Sequence, residues 1–195
     1  RVTTTRTKVF VTAVACAALG SLALAALFMP ASPPDFIEAA VFFGLATFVA
    51  HELAYRLPRG GFGNITFIPL LSGVTVAPGF AMVLATAVAL LVGEYFRRRE
   101  TIRIVFNSAQ LTLAVGLAVL VYGALGGKPL TCGGGPSIIP FVAAFATFFL
   151  SNAASFAGVV AVSSNESFSA VLIRAAGGTS LVYDLVGIPI VFGSA

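Results

Sequence analysis

Four arginines in seven positions, Arg97-Arg98-Arg99-Glu100-Thr101-Ile102-Arg103, separate one long apolar run from the next. The rest of the chain is almost unbroken apolar residues, Gly and Pro. A basic cluster between two hydrophobic stretches marks a short cytoplasmic loop of a membrane protein and orients the stretches on either side of it. Only 9% of the 195 residues are charged and mean hydropathy is +1.03, whereas a soluble domain carries about 25% charged residues. The runs are helical in length and rich in Ala, Leu, Gly and Phe. They lack the alternation over roughly ten residues that an outer-membrane barrel needs. The expected fold is therefore an all-α integral membrane protein, a polytopic bundle of six to seven transmembrane helices with a cytoplasmic N-terminus.

Seven apolar segments divide this single membrane domain, at residues 9–29, 36–55, 64–77, 80–96, 104–125, 137–162 and 180–193. Pro30-Ala31-Ser32-Pro33-Pro34-Asp35 makes a tight link between the first two, because consecutive prolines cannot continue a helix. The third segment is about 14 residues, which covers roughly 21 Å of a hydrocarbon core about 30 Å thick. It is expected to be a thin or broken helix, loosened by Pro69 and Gly73. Phe168 to Arg174 reads as a short interfacial turn or helix. With this arrangement ten basic residues fall on the cytoplasmic side (Arg1, Arg6, Lys8, Arg56, Arg59, Arg97, Arg98, Arg99, Arg103, Arg174) and only Lys128 on the other, as the positive-inside rule requires. Seven full crossings would leave the C-terminus outside, so either more chain follows Ala195 or the last segment does not fully cross.

The net charge of +4 does not indicate nucleic-acid binding, because the arginines sit at span ends where they meet lipid headgroups. Arg59, Arg98, Arg99 and Arg103 are assigned that role. Cys16 lies mid-span and Cys132 in a distant loop, with neither disulfide nor metal-ligand spacing.

Several landmarks together resemble a bacterial multi-pass membrane sensory region found N-terminal to GGDEF, HD-GYP or related cytoplasmic signalling domains. They are Arg56-Leu57-Pro58-Arg59-Gly60-Gly61, Ala77-Pro78-Gly79, Arg97-Arg98-Arg99, Phe106-Asn107-Ser108-Ala109-Gln110, Leu150-Ser151-Asn152, and Ser167-Phe168 with Val171-Leu172 and Arg174. The resemblance implies a location in the bacterial cytoplasmic membrane and a sensory, signal-input role. In that family an eighth span leads into the output domain.

Polar side chains inside spans are expensive, about 2.5–3.5 kcal/mol for a charge on insertion scales. Glu52 and Arg56 have i,i+4 spacing and can pair on one helix face. Glu94 lies one turn before Arg97, Asn107 and Gln110 open the fifth span, and Asp184 enters the seventh from the same side. The topology gathers Glu52, Arg56, Glu94, Arg97, Asn107, Gln110 and Asp184 at one membrane depth. Helix bridging by groups that snorkel to the interface is the plainer reading; a pocket for a small ligand or headgroup is the functional one. His51 is weighed as a metal ligand and set below an interfacial hydrogen bond, since haem-binding membrane helices usually supply paired histidines. Gly44, Gly116 and Gly158 are expected to let helices approach closely.

No dinucleotide, Walker, zincin or nucleophile-elbow motif occurs. The expected protein is non-catalytic, with no cofactor and no nucleic-acid partner. Its partners are the lipid bilayer and either other membrane subunits or further copies of itself. Beside the sensory reading stand two others. One is an accessory or scaffold subunit of a larger membrane complex. The other is a substrate-binding subunit of a small-molecule importer, which predicts a polar pocket open to the outside.

Overall fold

The computed structural model describes residues 4–29, 34–53, 55–56, 62–63, 65–130 and 138–176. Among the described residues seven helices follow in order: α1 Thr5–Phe28, α2 Pro34–Glu52, α3 Phe67–Val76, α4 Phe80–Phe96, α5 Thr101–Ala124, α6 Ile138–Ser164 and α7 Phe168–Ala176. Three of them, α1, α5 and α6, are long and apolar enough to cross a membrane. At 1.5 Å per residue, even the shorter two of these reach about 36 Å. With large apolar side chains such as Leu19, Leu27, Phe42 and Leu45 facing outward, the chain is a helical membrane protein. The segment expected at 180–193 lies outside the described residues.

Helix α5 is central, packing on α1, α6, α4 and α3, while α2 packs chiefly on α4 and α3. The main core joins Ala25, Leu70, Leu71, Val74, Met82, Val83, Val115, Val119, Phe141 and Phe148. A smaller one, around Val11, Val14 and Phe106, lies nearer the arginines. Small residues set the helix spacing. A Cβ on Gly116 would strike the Ser21 side chain of α1, and one on Gly158 the ring of Phe10.

Helix α3 has ten residues, of which Leu70 through Val76 are all buried, so it is a half-length helix about 15 Å long. Pro69 does not loosen it. It lies in the first turn, where a backbone N–H has no helical acceptor to lose. The stop comes instead at Ala77, whose φ of −135° and ψ of 62° leave the helix just before Pro78, as a following proline favours. The chain then reverses into α4, which runs in the same direction as α2. Gly44 lies against Ala85, and His51 lies against Gly93.

At the other end, α2 stops at Glu52 and the chain forms a two-residue antiparallel ladder, Tyr55 opposite Gly63 and Arg56 opposite Phe62. The helix thus gives way to a short paired ladder. Helix α4 closes on Arg97, and Arg98 takes a left-handed backbone (φ 49°) that turns the chain into α5. The ends of α2 and α4 and the start of α5 therefore meet at what is called here the arginine end.

Candidate functional site

The arginine end holds a buried acid–base cluster. Glu94, one turn from the end of α4, is 1% exposed. Its Oε1 accepts a hydrogen bond from Asn107 Nδ2 of α5 at 3.1 Å and lies 3.2 Å from His51 Nε2 of α2. Its Oε2 faces Arg99 Nε at 3.4 Å. One carboxylate thus touches side chains from α2, from α5 and from the turn between α4 and α5. The ring of His51 is buried too, close to Glu94 but with its N–H not aimed at the carboxylate oxygen. Arg97 fastens the end of α2 a second time. Its Nη2 donates to the carbonyl of His51, and its Nε lies 3.4 Å from Glu52 Oε1.

Several expected residues come together here: His51, Glu52, Glu94, Arg97 and Asn107. Gln110 does not join them. It sits one turn further along α5 and donates to Asn152 Oδ1 of α6 at 2.5 Å, so α5 carries one polar link to α4 and one to α6. The i,i+4 alignment of Glu52 with Arg56 does not form, because α2 ends at Glu52, and Glu52 meets Arg97 instead. Arg99, assigned to lipid headgroups, turns back to Glu94. Its backbone follows the left-handed turn at Arg98, which brings the side chain over the end of α4. Arg98 is exposed, and Arg103 is exposed beside Glu100 at 3.5 Å, a surface pairing worth little. Arg59 and Asp184 lie outside the described residues, and of Arg56 only the backbone is described.

Two buried hydroxyls escaped the sequence reading. Thr47 Oγ1 and Ser108 Oγ have no hydrogen-bond partner among the described residues, and neither has His51 Nδ1. Thr47 stands four residues before His51, on the same face of α2, and that spacing is the signal that could have found it. Among the described residues, no three His, Cys, Asp or Glu side chains converge as a metal site. A Cβ on Gly93 would lie only 2.8 Å from His51 Cδ2, so α4 packs directly against the ring and leaves no space on that side for a planar cofactor.

At the opposite end a cavity of about 740 Å³ lies among Leu24, Phe28, Phe36, Leu120 and Pro129. Its walls are apolar, unlike the polar pocket that an importer subunit would need.

Fold and site define a helical membrane domain whose helices are tied at one end by a buried carboxylate, an imidazole and arginines. The profile of the MASE9 family matches residues 9–193. The chain belongs to that family, one of membrane-associated sensory domains. No curated protein and no solved structure shows significant similarity to it.

Proposed function

We propose that this domain is the non-catalytic signal-input region of a bacterial signalling protein, a multi-pass unit of the cytoplasmic membrane with its arginine end in the cytoplasm. It passes a membrane signal to an output domain of the GGDEF or HD-GYP kind. The observation that carries this reading is the family match over residues 9–193. The cluster at the arginine end adds a physical reason. It joins α2, α4 and α5 through charges and hydrogen bonds, which have discrete partners and can be exchanged, whereas α1, α5 and α6 are held by close packing. The basic residues gathered at that end support a cytoplasmic side for it under the positive-inside rule, where an output domain works.

The test is the intact mass of the native gene product, isolated from its own membrane in mild detergent with its co-purifying proteins identified. A mass well above 20.0 kDa, with a cytoplasmic signalling domain in the same chain, supports the proposal. A chain of that mass locked into a larger membrane assembly overturns it in favour of an accessory subunit.

A further inference from the structure

His51 is the single histidine of the chain, and it lies where two helices meet rather than on a lipid-facing surface. Its side chain is 6% exposed and that of Glu94 is 2% exposed. A buried imidazole with neither ring nitrogen hydrogen-bonded among the described residues is costly to keep, and Gln or Asn would bridge α2 to Glu94 without changing charge. An imidazole differs from these amides in that it changes charge between about pH 5 and 8.

We propose that the His51–Glu94 pair is a binding site for one exchangeable proton, and that occupancy of this site sets how tightly α2 is held to α4. This rests on the signal-input reading and names the proton as its signal. The proton adds to the imidazole lone pair, and no other bond changes. With the site empty, the charge of Glu94 is answered by Arg99 and Asn107, both on the α4–α5 side. The polar hold on the end of α2 is then Arg97, through Glu52 and the His51 carbonyl. With the site filled, an imidazolium on α2 stands 3.2 Å from the carboxylate on α4. That attraction acts across the helix interface and draws the ring N–H into line.

The groups facing His51 set the balance. On α2 these are Thr47 and the carboxylate of Glu52; on α4, Glu94 and Arg97; in the following turn, Arg99; on α5, Asn107 beside Glu94. Helix α3 brings no titratable side chain to α2. Of these, Glu94 is the group that the ring approaches, at 3.2 Å. Protons have a short path in. The side chains of Glu52 and Arg99, which flank the pair, are 40% and 39% exposed.

The experiment uses the full chain in lipid nanodiscs, with Cys16→Ser and Cys132→Ser. Nitroxides are attached through Leu53→Cys at the end of α2 and Tyr95→Cys at the end of α4, both outward-facing positions (60% and 72% exposed). The inter-label distance is measured by pulsed electron resonance from pH 8 to pH 5. In parallel, the ring nitrogens of the single histidine are followed by NMR in the chain without labels. The expected result is one ring titration and, on the same curve, a shortening of the distance by about 1–2 Å, the size of an interface helix shift. His51→Gln abolishes the pH dependence of the distance. Glu94→Gln keeps a ring titration but loses the distance change. A distance that is constant with pH, or that still shifts in His51→Gln, overturns the proposal and leaves the signal-input reading standing. That reading falls instead with the mass measurement, whatever the histidine does.

Discussion

Glu94→Gln is the sharpest test of whether the buried cluster stabilises the fold. The amide keeps the shape of the side chain and still accepts from Asn107, so the change removes charge and little else. At the 3.4 Å separation of Glu94 and Arg99, a pair of unit charges attracts by about 5 kcal/mol at an effective dielectric constant of about 20. Most of that is offset by the cost of burying the carboxylate and by water around Arg99, whose side chain is 39% exposed. About 1–3 kcal/mol should remain, the range for a charged hydrogen-bonding partner of a buried group. The assay is the unfolding free energy in mixed micelles, followed by helix content, for Glu94→Gln, Arg99→Gln and both together. Coupling of about 1 kcal/mol or more between the two changes is expected, while Arg98→Gln, which is exposed, should add independently of Glu94→Gln. Buried ion pairs are sometimes weaker than neutral replacements. A Glu94→Gln chain as stable as the parent, or additivity with Arg99→Gln within about 0.5 kcal/mol, would refute the reasoning.

Gly93→Ala should cost about 0–2 kcal/mol in the same assay, since overpacking of about 1–3 kcal/mol against His51, 2.8 Å away, outweighs a helix-propensity gain of about 1 kcal/mol. Gly20→Ala, with nothing within 4 Å of the new methyl, should instead stabilise by up to about 1 kcal/mol. Gln110→Leu or Asn152→Leu alone should cost about 1–3 kcal/mol by stranding the other amide, whereas the double change should be near neutral; equal losses for the singles and the double would contradict this. Outside the spans, Arg174 hydrogen-bonds Glu166 and, with Ser164, holds its carboxyl below the usual carboxylate range. A depressed carboxyl stabilises the fold above its unfolded value and loses that contribution as pH falls through the folded one. Hydrogen exchange in α7 should therefore quicken only below pH 4.5, and Glu166→Gln should remove that step.

Much of this was legible because a membrane makes apolar runs long and charges rare. The half-length α3 follows from a run too short to cross, and the reversal after it from Ala77-Pro78-Gly79. The membership of the cluster was partly legible as well. His51, Glu52, Glu94, Arg97 and Asn107 all lie near span ends on the side of the arginine run, and depth alone brings them together. Depth does not fix pairing, though. Gln110 lies one turn from Asn107, yet it points at α6, because a step of three residues turns the helix by about 60° short of a full circle. The contact of Arg99 with Glu94 was not legible, because its course depends on the left-handed backbone of Arg98, which nothing in the local sequence demands. Glu52 was matched to Arg56 on the assumption of a continuous helix, but α2 ends at Glu52 and Arg56 lies in a strand.

The two kinds of contact divide the bundle in a way that bears on how it works. Close approach at Gly116 and Gly158 ties α1 to α5 and α6 along faces where a displaced side chain meets another atom at once. Interfaces packed this way resist gradual change. Helix α2 stands on the other side of α4, away from that group, and packs chiefly on α4 and α3. At the arginine end its attachments are polar: His51 to Glu94, and Arg97 to Glu52 and to the last turn. Substituting Arg97 with Gln removes both of the latter and leaves the hydrophobic contacts of α2 intact. If α2 is the element that moves, Arg97→Gln should lengthen the Leu53–Tyr95 label distance at pH 8 far more than at pH 5, because the imidazolium then still bridges to Glu94. An equal effect at both pH values would mean that Arg97 and His51 act independently, and α2 would have no switchable attachment.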